Sequence, residues 1–149
     1  MTSTLLDWSD EQVAIYVEQS PSFGDGQAAS CYAETVLESI RLGEAHIERR
    51  TFGFAIIHRV FKVVPGIRPK IKVLSHFHVE VIEVFREHVA YAAAKKFFDE
   101  LIEKYGTVAD LHGECVGLPR ARLSRRYGCS FIEKQNEPGI YDVVFRKVN

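Results

Sequence analysis

The chain has 149 residues, of which 46% are hydrophobic and 26% charged, with 10 Gly and 5 Pro. This balance excludes a disordered, collagenous or low-complexity chain, and the length suits a single domain, residues 1–149, with one core. Nineteen Lys and Arg against 20 Asp and Glu leave a formal charge of −1, so no global field draws the protein to nucleic acid or an anionic membrane, and any such binding needs a local patch.

In chain order, Ser9 and Gln12 have the spacing of a capping box and open a short helix with Val13, Tyr16 and Val17 on one face, ending near Ser20-Pro21. Tyr32, Ala33, Val36, Leu37 and Ile40 form the stripe of a second helix that Gly43 stops. Trp8 and Tyr16 read as core or interface anchors.

From Ala45 the texture turns β-branched and aromatic, predicting an antiparallel meander with strands at about 45–51, 54–62 and 71–85. The last is long enough to need a bend or bulge. Helical period returns with Val89, Ala93, Phe97, Leu101 and Tyr105, closed by Gly106. A strand at about 107–116, a short helix from Pro119 to Tyr127 ended by Gly128, and a hairpin of 129–134 and 140–148 complete the chain.

The order predicts an α/β (α+β) domain: a mixed, mostly antiparallel sheet with one βαβ crossover and helices on both faces. Its parts are two leading helices (1–44), the meander and main helix (45–106), and the closing strand, helix and hairpin (107–149). A ligand site in such a sheet is expected where the long strand hands over to its helix, at residues 84–94, because free amides at a helix start form an anion cradle.

That handover reads Val84-Phe85-Arg86-Glu87-His88-Val89-Ala90-Tyr91-Ala92-Ala93-Ala94, and a second segment reads Cys115-Val116-Gly117-Leu118-Pro119-Arg120-Ala121-Arg122-Leu123-Ser124-Arg125-Arg126-Tyr127-Gly128-Cys129. Together, in this order and separation, they resemble the GNAT superfamily of N-acetyltransferases. The first is similar to the family's V-x-P-x-x-R-G-x-G-x-G/A, whose amides bind the acetyl-CoA pyrophosphate; the second is similar to its strand, helix and re-entrant strand. Val89 stands where the family has Arg or Gln, Ala92 where it has Gly, and Ala94 is an accepted variant. Ser124 stands where many members place a Tyr that protonates the leaving thiolate, and Gly117, Arg120 and Cys129 also depart from the pattern.

The resemblance implies acetyl-CoA as cofactor, bound by Val84, Phe85, Val89, Ala90, Tyr91, Ala92 and Ala94, and an amine as acceptor. It also places a general base on the long central strand. There, Ser75-His76-Phe77-His78-Val79-Glu80 sends His76, His78 and Glu80 to one face, making His78 or Glu80 the base, acting through a water, with Ser124 at the acid position. The bland alternative is ordinary polar-out alternation, which fits His112 and Glu114 equally. A metal at H-x-H lacks a third His at recognisable spacing, so none is expected.

The four arginines 120, 122, 125 and 126 suit a helix C-terminus, and no strong nucleic-acid signal arises from them. The three dispersed cysteines read as reduced thiols of a cytosolic protein, Cys115 and Cys129 as buried packing residues. No apolar run reaches transmembrane length, so a cytoplasmic protein is expected, oligomeric or bound to a protein partner if it serves as one. Against the acetyltransferase stands a second function: a catalytically inactive GNAT-like protein, of the kind found in tailed bacteriophages as virion or structural components.

Overall fold

A computed structural model describes residues 5–19, 32–66, 71–83, 91–126 and 128–145. In chain order it contains α1 (Asp10–Glu18), α2 (Tyr32–Arg41), β1 (Ala45–Arg49), β2 (Gly53–Val63), β3 (Lys72–Glu83), α3 (Tyr91–Tyr105), β4 (Leu111–Val116), α4 (Leu118–Arg126), β5 (Ser130–Glu133) and β6 (Ile140–Phe145). The strands form a six-stranded sheet in the order β1-β2-β3-β4-β6-β5. Strands β3 and β4 are parallel, while β1–β2, β4–β6 and β5–β6 are antiparallel. The expected mixed α/β fold with one βαβ crossover is present. No helix among the described residues is long and apolar enough to cross a membrane.

By their packing the residues fall into two compact units, Met1–His58 with Val81–His88, and Arg59–Glu80 with Val89–Asn149. In the first, the Ser9 hydroxyl accepts from the Gln12 amide at 3.2 Å while the Gln12 side chain accepts from the Ser9 amide at 2.8 Å, so the capping box starts α1 as expected. Helix α1 buries Val13, Ala14 and Val17 against Ala33 and Val36 of α2 and Phe54 and Ile56 of β2. Trp8, Tyr16 and Phe54 form an aromatic triad with ring centroids 5.5 to 6.4 Å apart, so both expected anchors are half-buried and pack against the core. The Glu18 carboxylate accepts the Ala33 amide at 2.8 Å and satisfies a donor in the first turn of α2.

In the second unit, alternation along β3 buries Phe77 and Val79 on the face that also carries Leu111 of β4 and Val143 and Phe145 of β6. Helix α3 supplies Ala94, Phe97, Leu101 and Tyr105 to this core, with Tyr105 edge-on to Phe77 at 5.4 Å and Phe98 edge-on to Phe145 at 5.7 Å. After α4, the Cys129 amide donates to the Ser124 carbonyl and the Gly128 amide to the Arg125 carbonyl, with Gly128 at φ +86°. This is a Schellman ending, which needs the left-handed residue the sequence supplies.

Two expectations are corrected. The strand expected from Thr107 begins at Leu111, because the Val108 and Ala109 amides are captured by the Tyr105 carbonyl at the frayed end of α3. Cys129 is buried, as expected, and burial pushes its thiol up to about 11, but Cys115 is only half-buried. Cys31, the handover segment 84–90, Tyr127 and the last three residues of the expected hairpin, 146–148, lie outside the described residues.

Candidate functional site

The parallel pairing of β3 and β4 builds the site. Phe77 pairs with Leu111 and His78 with His112, and the Phe77 amide donates to the Asp110 carbonyl at 2.9 Å. Gly113 follows immediately, close enough to β3 that an added Cβ would lie 3.2 Å from the Val79 carbonyl oxygen. Among the described residues the register ends there, while β4 stays paired to β6 through Val116.

That register aligns two H-x-E segments, His78-Val79-Glu80 and His112-Gly113-Glu114, on the face opposite the core. Continuing across the sheet, Asp142 of β6 is the register partner of Glu114. The result is a polar face spanning three strands. His76 stacks on His112 with ring centroids 4.2 Å apart and planes at 30°. His78 Nε2 lies 3.9 Å from Glu80 Oε1. Lys134 donates to Glu114 and lies 3.8 Å from Asp142.

The electrostatics favour neutral imidazoles. Desolvation lowers the pKa of His76, and the neighbouring His112 lowers it further. For His78 desolvation again dominates in lowering the pKa; Glu114 and Asp142 oppose it, while His76 and Lys134 add to it. A neutral imidazole is a proton acceptor near neutral pH, the chemistry of a general base. Among the described residues no group of three or more His, Cys, Asp or Glu is arranged to hold a metal ion.

The other expected site residues are dispersed. Ser124 is on α4, where its hydroxyl donates to the Ala121 carbonyl in the same helix. Of the expected acetyl-CoA contacts, Val84, Phe85, Val89 and Ala90 lie outside the described residues; Tyr91, Ala92 and Ala94 begin α3, with Ala92 exposed and Ala94 buried. Lys134 and Asp142 are members that sequence reasoning missed, and His112 was read there only as half of an alternating pair with Glu114. The signal available was the repeated H-x-E, but a parallel register between segments 34 residues apart leaves no local mark.

The fold has a precedent. The crystal structure of PH1933 from Pyrococcus horikoshii OT3 is similar, with a TM-score of 0.54 at 10% identity, covering 100% of this chain and 94% of that one. At that identity the likeness bears on the fold alone. No family model matches the sequence, and no curated protein does.

Proposed function

We propose that the chain is a GNAT-like cytoplasmic acyltransferase that moves an acetyl group from acetyl-CoA to an amine. The observation that carries this reading is the β3–α3–β4 crossover with a short parallel register, ending beside His78 and Glu80. His78, held neutral by burial, takes a proton from the acceptor ammonium through a water, and Glu80 orients its ring. Acetyl-CoA, when bound, supplies a thioester-activated acetyl group. The first turn of α3 fits its phosphates in one respect: it carries no acidic side chain that would compete with an anion for the amides.

A second reading, an inactive GNAT-like protein serving as a binding or phage structural component, is favoured by Ser124. Its hydroxyl is committed to the Ala121 carbonyl, and the sequence has Val89 where the family has a cationic or amide side chain. Thermal melting with and without acetyl-CoA separates the two. A ligand at 100 times its dissociation constant stabilises by about 2.7 kcal/mol, a shift of several degrees. A shift kept by Ala92→Gly and lost in Ala92→Glu places the cofactor at the start of α3. No shift at millimolar acetyl-CoA removes the transferase.

A further inference from the structure

The outer half of the β2–β3 hairpin has exposed residues on both of its faces, with Val60, Val73 and Leu74 half-buried and none of its residues from Arg59 to Val63 or Ile71 to Ser75 buried. Residues Gly53–Ile57 of β2 are all buried, whereas none of Arg59–Val63 is. Successive strand residues point to opposite faces, so the outer stretch stands clear of the core as a two-sided ribbon. β2 and β3 are sheet neighbours, and the Val64 amide donates to the Ile71 carbonyl at 2.9 Å, closing the hairpin. On the β3 side Lys72 and Ser75 are exposed.

The ribbon carries one sign of charge. Arg59, Lys62 and Lys72 are all exposed, and no Asp or Glu occurs among residues 59–66 and 71–79. Among the cations stand Phe61, Val63 and Ile71, which are 39%, 48% and 46% exposed. The near-zero net charge hides this patch, because residues 1–44 hold eight Asp or Glu against one Arg. The arginines of α4 are a different case: Arg125 and Arg126 complement the helix C-terminus, and Arg125 lies over the Phe131 ring at 4.5 Å.

We infer that this ribbon docks on duplex DNA. A two-stranded ribbon is one of the two protein elements the major groove admits, and an all-cationic ribbon is complementary to the phosphates that line it. Arg59, Lys62 and Lys72 contact phosphates, and Phe61 and Val63 meet apolar base edges such as thymine methyls. Three neutralised phosphates give a log–log salt slope near about −2.7, a loss of about 40-fold in affinity between 50 and 200 mM salt.

The test is fluorescence anisotropy of a short labelled duplex titrated with the full-length protein. Binding is expected at low salt, with the stated salt loss, and is expected to fall at least tenfold in Lys62→Glu/Lys72→Glu but to persist in Arg122→Glu/Arg125→Glu. Circular dichroism and melting of each variant separate lost contacts from lost fold. No binding at 50 mM salt, binding indifferent to charge reversal on the ribbon, or capture of single strands in preference to duplex would each overturn the proposal. So would a concentration-dependent dimer that Lys62→Glu/Lys72→Glu dissociates, since the ribbon would then be docked on a second copy.

Discussion

His76 and His112, 36 residues apart in sequence, stack face to face across the parallel strands β3 and β4 with ring centroids 4.2 Å apart. The neighbouring His112 adds to the desolvation that lowers the His76 pKa. Together with the lowered pKa of His78, this predicts a polar face sensitive to acid.

The sign of that sensitivity follows from the lowered pKa values of His76 and His78. Above about pH 6.5 these residues are neutral folded or unfolded, and they cost nothing. As pH falls below that value the unfolded chain takes up protons that the folded face resists, so stability drops. The melting temperature is expected to fall between pH 7.5 and 5.5, and His76→Gln/His112→Gln should flatten the decline. The groups facing these rings are Glu80, Glu114, Asp142 and Lys134, and the same scan on Glu114→Gln should be steeper than wild type, because Glu114 raises the His78 pKa. An unchanged profile in the double variant would mean that acid sensitivity resides elsewhere.

If His78 is the base, His78→Gln should lower acetyl transfer by about 10²- to 10⁴-fold while leaving the acetyl-CoA melting shift intact. Glu80→Gln should give a smaller loss together with an altered pH–rate profile, as expected for a residue that orients the ring 3.9 Å away. Equal loss of cofactor binding in both variants would argue for collapse of the face instead.

Gly113 is expected to tolerate a side chain poorly. An alanine Cβ would sit 3.2 Å from the Val79 carbonyl oxygen, so the β3 backbone has to give by a few tenths of an ångström. Overpacking of this kind costs about 1–3 kcal/mol, so Gly113→Ala should lower the melting temperature by roughly 5 °C, and Gly113→Val by more. A neutral Gly113→Val would show that β4 is not seated this closely on β3.

Phe54 is fully buried at the centre of the Trp8–Tyr16–Phe54 triad. Truncation to alanine should cost about 4 kcal/mol, a drop of about 10 °C for a chain of this length. By contrast, Ser9→Ala removes one half of the capping box and should cost only about 1 kcal/mol. Calorimetry of the two variants checks the ranking.

Much of this architecture was written in local chemistry. The capping box at Ser9 and Gln12, Gly128 just past the end of α4, the stripe from Ala94 to Tyr105 and the alternation along His76–Glu80 each specify an element through neighbours within one or two turns, so a linear reading finds them. The same reading misjudged Thr107 to Asp110, where a β-branched stretch lost its amides to the end of a helix. Alternation also showed that His76, His78 and Glu80 share a face, as do His112 and Glu114. Only the tertiary structure decided that those two rows stand side by side, because the register of a parallel pair is set by the buried face, through Phe77, Leu111 and α3, and not by the polar residues it aligns on the other face.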